Sequence, residues 1–377
     1  MTVLVSGNRI GAVGTAADVP IPPGTETVDG TGKFLIPGLW DMHGHLTDAT
    51  ESAFPLLIMN GVTGVRDMGG ELDQIDRWRT EIDRGERIGP HIVRAGPFVD
   101  GPNEAPHHLT IRTPEEARRI VHELKGKGVD FIKVHNALPR DAFFALMDEA
   151  RKEHIPVAVH LPKEVTAAEA SEAGAVSLEH IEMLGQSALL RKDATAKTVK
   201  DAVAENEGPL GQQTFATFVK NGTWYVPTLV AYERGFVLWS NNPRALVPRL
   251  EIHRRQVALV GAMHKAGVRI MAGSDFSDWA LVPGVDLHNE LALLVEAGFS
   301  PMEALQAATL SPAEFLGMRD SLGTVEAGKI ADLVLLDANP LESISHTRKI
   351  NAVVLGGRLL PIPKITARAL ERATHEQ

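Results

Sequence analysis

The sequence predicts an α/β protein: a (β/α)8 TIM barrel carrying a small β-sandwich built from both ends of the chain. Three observations carry that reading. Short β-branched or apolar runs recur through the middle of the chain, each entered from a helical stretch that closes on Gly. Examples are Asn60-Gly61-Val62, Lys127-Gly128-Val129, Ala173-Gly174-Ala175-Val176, Asn221-Gly222-Thr223-Trp224 and Ala266-Gly267-Val268. Glycine takes the left-handed conformation that ends a helix, and a continuous apolar run reads as a strand buried on both faces. Next, the runs finish on polar or ionisable residues, which is where a barrel keeps its chemistry. Finally, both chain ends hold short β-rich runs, Val3 to Val13 and Ala331 to Leu360, with no barrel-sized helices between them.

Taken in order, strands are expected near Leu35 to His45, Val62 to Met68, His91 to Phe98, Val129 to His135, Val157 to Leu161, Val176 to Ile181, Trp224 to Leu229 and Arg269 to Asp275. A barrel of this kind takes about 250 residues, which the stretch 38–321 supplies. Helix starts are written as well. Thr113-Pro114-Glu115-Glu116 and Ser300-Pro301-Met302-Glu303 each offer a capping hydroxyl, a proline at the first helical position and a Glu that reaches back. Thr166 with Glu169 repeats the box without the proline. The competing arrangement, an open doubly wound sheet, lacks its Gly-x-Gly-x-x-Gly after the first strand. Gly356-Gly357-Arg358 reads as a hairpin turn. Residues 1–37 with 322–377 are therefore expected to form the composite β-sandwich, and 38–321 the barrel.

Composition narrows the function. Of 377 residues, 44% are hydrophobic and 23% charged, as in compact soluble chains. Lys and Arg total 38 against 48 Asp and Glu, a formal charge of −10. That balance speaks against nucleic acid and for small-molecule partners. Cysteine is absent, which excludes disulfides, zinc-thiolate sites and a Cys nucleophile, so a metal must sit on nitrogen and oxygen. There is no Gly-x-Ser-x-Gly elbow for a serine hydrolase. No apolar run approaches bilayer length and no basic leader precedes one, so a cytoplasmic protein is expected, or a periplasmic or secreted one whose signal has been removed.

Side chains two apart on a strand share a face, so His43 and His45 in Trp40-Asp41-Met42-His43-Gly44-His45 form a plausible metal pincer. Other strand ends close on Lys133, His160, His180 and Asp275. His135, two beyond Lys133, can share its inward face and touch substrate, or be a surface histidine. His107 and His108, in a Gly- and Pro-rich loop after the third strand, are candidates for an oxyanion or carboxylate contact. Segments Glu182 to Asn221 and Val230 to Lys265 are long connections leaving the same end of the barrel. In or beside them, Tyr225, Tyr232, Arg234 and Trp239 are candidate substrate walls.

Three stretches carry a resemblance: Ile36-Pro37-Gly38-Leu39-Trp40-Asp41-Met42-His43-Gly44-His45, Gly273-Ser274-Asp275, and Gly323-Thr324-Val325-Glu326-Ala327-Gly328-Lys329-Ile330-Ala331-Asp332-Leu333. In these the chain resembles the amidohydrolase superfamily over nearly its whole length, in the subgroup similar to imidazolonepropionase and prolidase-like hydrolases. The resemblance implies that His43, His45 and Asp275 bind one divalent metal, His160 and His180 a second, and Lys133 bridges them. A cationic lysine repels metal, so the bridge requires carbon dioxide on a neutral amine as a carbamate, and burial beside Phe131 and Ile132 lowers the lysine pKa in that direction. Zinc suits such ligands best. The implied reaction is hydrolysis by a metal-bridging hydroxide of an amide or peptide-like C–N bond in an N-acyl amino acid, dipeptide or related small molecule. Asp275 is the expected catalytic proton shuttle.

The alternatives within this resemblance are a mononuclear cyclic-amide hydrolase, as in imidazolonepropionase, and a deaminase; both leave Lys133 idle. The acid a deaminase carries after the fifth-strand histidine is not matched by Lys163-Glu164. A non-catalytic assembly protein on this fold would have lost ligands that are present here. A homo-oligomer is expected, with neither nucleic acid nor membrane as partner.

Overall fold

The computed structural model describes residues 1–103, 107–189, 199–238, 243–277 and 281–361. Trp239 lies outside the described residues. Among them the strands are β1 (Thr2–Ser6), β2 (Arg9–Gly14), β3 (Phe34–Pro37), β4 (Leu39–Gly44), β5 (Val62–Asp67), β6 (His91–Arg94), β7 (Phe98–Asp100) and β8 (His108–Thr110). There follow β9 (Ile132–Val134), β10 (Val157–Val159), β11 (Ser177–Glu179), β12 (Trp224–Val226), β13 (Arg269–Ile270), β14 (Leu333–Leu336), β15 (Ile350–Leu355) and β16 (Arg358–Pro361).

The eight expected barrel strands are present, with two corrections. The run Leu35 to His45 is two strands in different sheets: β3 pairs antiparallel with β14, whereas β4 pairs parallel with β5. Gly38 makes the passage between them. Its N–H donates to the Asp332 carbonyl at 2.8 Å, and a Cβ there would run into the Thr63 side chain, so no larger residue fits. The run His91 to Phe98 also breaks, at Gly96, which has φ 71°. Beyond it β7 pairs in parallel with β8 and, at Val99 and Val134, with β9.

Parallel ladders run β4-β5-β6 and β8-β7-β9-β10-β11-β12-β13. Isolated bonds join the two arcs. Asp130 N–H donates to the Arg94 carbonyl at 3.0 Å on one side. On the other, Met42 N–H reaches the Ala272 carbonyl at 3.0 Å and Asp275 N–H the His43 carbonyl at 2.7 Å. Helices pack their apolar faces against this ring: Ala117, Ile120, Val121 and Leu124 are buried from Pro114–Gly126, and Phe143, Leu146 and Ala150 from Arg140–Lys152. The capping boxes at Thr166 and Ser300 are complete in both directions. At Thr113 the hydroxyl caps Glu116 N–H, but the Glu116 carboxylate takes the Arg112 N–H instead.

Both chain ends contribute to an antiparallel sheet of order β16-β15-β14-β3, in which Gly356 and Gly357, with φ 53° and 79°, make the hairpin turn. The long connections after β11 and β12 hold helices Glu182–Leu189, Val199–Asn206 and Pro209–Asn221, then Leu229–Leu238 and Pro243–Lys265. No helix among the described residues is long and apolar enough to cross a membrane.

Candidate metal and catalytic site

His43 and His45 leave the end of β4 with one residue between them. Each presents Nε2 at 3.4 Å from Asp275 Oδ1, and the donor atoms of the three lie within 4.8 Å of one another. His180 Nδ1 is 3.8 Å from Asp275 Oδ2. The His180 ring centre stands 4.5 Å from that of His43 and 4.6 Å from that of His160. Lys133 Nζ, almost wholly buried, sits 3.5 Å from His43 Nε2. The six residues expected to form the centre are thus drawn together from β4, β9, β10, β11 and the turn after β13.

Two of them get there by unusual backbone. Glu179 and His180 are neighbours on a strand end and would ordinarily face opposite sides of the sheet. His180 has φ 68°, however, and both side chains reach the barrel interior. Asp275 has φ 63°. Left-handed backbone on a non-glycine residue costs about 1–2 kcal/mol, and such strain collects where function over-determines the geometry.

Hydrogen bonds orient the rings. His43 Nδ1 donates to Glu179 Oε2 at 2.8 Å, His45 Nδ1 to the Gly69 carbonyl at 3.3 Å, and His180 Nδ1 lies 2.9 Å from Thr228 Oγ1. With Nδ1 engaged, Nε2 is the nitrogen left for a ligand. Among the described residues the buried Nε2 of His160 has no hydrogen-bond partner at all. Buried polar atoms are rarely left in that state, and the orphan suits a metal ion.

Electrostatics agree with that donor set. Burial, reinforced by Lys133 and the neighbouring rings, holds His43, His160 and His180 well below the usual imidazole range, so they stay neutral. His45 shifts the other way; burial opposes its charge, but the Asp275 contact outweighs it. Burial lowers Lys133 to about 8, against the pull of Glu179 and Asp275 in the opposite direction. Asp41, raised to about 7 by burial, accepts from Ser274 N–H at 2.9 Å and Ser274 Oγ at 2.5 Å, tying the eighth strand end to the first.

The expected substrate contacts disperse. His135 stays close: its ring centre is 4.4 Å from that of His160, and its Nδ1 donates to Asp100 Oδ2 at 2.9 Å. His107 is held between Glu71 at 2.7 Å and Asp48 at 3.4 Å, while His108 stacks on Phe98 and lies 3.0 Å from Thr110 Oγ1. Tyr225 is corrected from wall to brace: its ring is fully enclosed and its hydroxyl donates to the His180 carbonyl at 2.9 Å. Arg234 pairs with buried Asp286 at 3.2 Å, and Tyr232 packs against the main core.

Sequence reasoning missed Arg66, Asp100 and Glu179. Asp100 is fully buried; burial opposes its charge, yet His135 and the N–H groups of Gly101 and Ala137 hold its pKa below the usual value. Glu182 was missed too: its Oε2 is buried without a partner among the described residues, and burial pushes the carboxyl well above its usual range. Charged residues closing apolar runs, as in Val65-Arg66-Asp67 and Leu178-Glu179, were the available signal.

The amidohydrolase family profile matches residues 34–360. The chain belongs to the amidohydrolase family. As an amidohydrolase it is a metal-dependent hydrolase of carbon–nitrogen bonds, and its His and Asp donors fit that chemistry. It is 25% identical to ochratoxinase of Aspergillus niger over 438 residues, covering 96% of this chain and 83% of that one. It is 25% identical to imidazolonepropionase of Rubrobacter xylanophilus over 417 residues, covering 96% and 91%. Among solved structures, a candidate prolidase from Bifidobacterium longum aligns with TM-score 0.77 at 26% identity, over 98% of this chain and 93% of that one.

Proposed function

We propose that this amidohydrolase cleaves the amide or peptide-like C–N bond of a small molecule, an N-acyl amino acid, dipeptide or related amide, at a two-metal centre. The observation that carries the reading is Lys133: a buried amine 3.5 Å from His43 Nε2, among neutral imidazoles, where an ordinary cation has no function. His43, His45 and Asp275 would hold one ion and His160 with His180 the other, with Lys133 shared between them as the carbamate formed from carbon dioxide with loss of a proton. Zinc suits these ligands. Ions held there would polarise the substrate carbonyl and make attack by water feasible at neutral pH.

The chain's own groups do the rest. The Asp275 carboxylate, partly open to the mouth of the barrel, takes the proton of the attacking water and hands it to the leaving nitrogen. His135, its Nδ1 held by Asp100 and its ring partly exposed, contacts the substrate beside that nitrogen. The names ochratoxinase and prolidase among the similar proteins support an amide substrate of this kind. The reading also takes the enzyme as a cytoplasmic homo-oligomer without a nucleic-acid partner, in keeping with its charge of −10.

Elemental analysis of protein purified without chelator should approach two equivalents of divalent metal. A screen of N-acyl amino acids, dipeptides, cyclic amides and lactones should find turnover in one of the first two classes. A stable single equivalent in active enzyme, unchanged by added metal, would defeat the two-metal centre. Turnover confined to cyclic amides would favour the mononuclear alternative.

A further inference from the structure

We infer that Arg66 and Glu179 are positioning residues that decide which nitrogen of His43 faces the metal site. The inference rests on the metal-centre reading above. Arg66, Ser177, Glu179 and His43 are all fully enclosed. Arg66 Nη2 donates to both Glu179 oxygens at 2.8 and 3.0 Å, its Nη1 to Ser177 Oγ at 2.9 Å, and its Nε to the Met42 carbonyl at 2.8 Å. Ser177 Oγ donates to Glu179 Oε1 at 2.5 Å. The remaining capacity of Glu179 is taken by His43 Nδ1 at 2.8 Å.

A carboxylate only accepts hydrogen bonds, so His43 must carry its proton on Nδ1. The lone pair is then on Nε2, which faces Asp275 Oδ1 at 3.4 Å and Lys133 Nζ at 3.5 Å. Two further features single out this arrangement. The hydrogen-bond partners of Nδ1 are a carbonyl for His45 and a hydroxyl for His180, whereas for His43 the partner is a carboxylate, which raises a ligand's donor strength. Arg66 also grips the carbonyl of Met42, the residue before His43, so one guanidinium positions both the backbone and, through Glu179, the ring. A buried ion pair is no better for stability than a well-packed apolar pair. Stability alone therefore gives no reason for a charged pair here, and orientation of a ligand does.

The test compares unmodified protein with Glu179→Gln and with the double variant Arg66→Met/Glu179→Gln, each titrated with cobalt(II) against a chelator. Glu179→Gln should bind the ion about 10–100-fold more weakly and melt at a lower temperature, because Arg66 is left unpaired. The double variant removes that unpaired charge, so its melting temperature should recover while its cobalt affinity stays low. Recovery of the parent affinity in the double variant would overturn the inference and leave the pair a structural one. Should neither variant fold, proton NMR of the cobalt-loaded parent decides. A hyperfine-shifted His43 N–H that exchanges in D2O more slowly than that of half-buried His45 supports the arrangement, and coordination through His43 Nδ1 overturns it. Failure of the parent itself to bind cobalt would instead bring down the metal centre.

Discussion

Two clusters among the described residues bring three potential metal donors together, and they differ in how those donors are satisfied. His43, His45 and Asp275 have donor atoms within 4.8 Å of one another, and so do His122, Glu149 and Glu153 on the helices Pro114–Gly126 and Arg140–Lys152. The second group has one exposed ring, His122, and two half-buried acids that already have cations: Lys125 lies 2.6 Å from Glu153, Lys152 3.2 Å and Arg118 3.6 Å from Glu149. In the barrel group His43 is fully buried, the rings are locked by hydrogen bonds through Nδ1, and near it the His160 Nε2 has no partner among the described residues. Convergence of donors is common on protein surfaces; what separates the two clusters is whether other charges satisfy the donors first and whether their orientation is fixed.

The contrast can be broken most severely at Lys133. Lys133→Ala should lose metal and activity together, with partial recovery by short carboxylic acids that fill the gap, followed by metal analysis and turnover. Full activity in Lys133→Arg would remove the carbamate, since a guanidinium cannot form one. Next comes Asp275→Asn, which keeps an oxygen for weak coordination but carries no proton. In metal-replete protein its kcat should fall by at least about 10²-fold, most for amides with poor leaving groups; near-parental rates would leave Asp275 a ligand at most.

A smaller effect is expected at Asp100. Its replacement by Asn weakens a charged hydrogen bond to His135, a loss of about 1.5 kcal/mol, so kcat/KM should drop about 10-fold with metal content unchanged. Smaller again is a pH effect on reconstitution. With Lys133 lowered to about 8 in the metal-free protein, roughly a tenth of the amine is neutral at pH 7 and half at pH 8. At a fixed concentration of dissolved carbon dioxide, metal uptake should therefore quicken about fivefold over that interval and gain no more than about a further twofold above it; a flat profile in stopped-flow uptake would count against carbamate formation as the limiting step. At the far end, Glu149→Ala/Glu153→Ala should leave metal stoichiometry and kcat as they were, and loss of an equivalent would promote the surface cluster to a site.

Local signals were readable and long-range ones were not. The junction glycines all take positive φ, between 70° and 101°, and the boxes at Thr166 and Ser300 close as written, because each involves residues a few positions apart. His43, His45, Lys133, His160, His180 and Asp275 were legible as residues closing apolar runs. Glu179 was not: its partner Arg66 is 113 positions away, and strand alternation argued that it and His180 face opposite ways. Only the left-handed backbone at His180 reverses that argument. The split at Gly38 was hidden for a related reason, since an uninterrupted apolar run says nothing about which sheet each half joins.

The seam between β13 and β4 orders events in time. Asp41 and Ser274 are 233 positions apart, and β13 is only two residues long, so the ring closes through a handful of bonds made by the most distant parts of the barrel. Contacts of such separation are slow to form because the chain between them must already be arranged. During synthesis the first strand therefore waits for the eighth to emerge, and β3 waits longer still for β14. An ion gripped by His43, His45 and Asp275 would clip this late-closing joint. It would act as a brake on unfolding with little effect on the rate of folding, so that loss of the ion shortens the lifetime of the closed barrel before it alters the way the barrel is made.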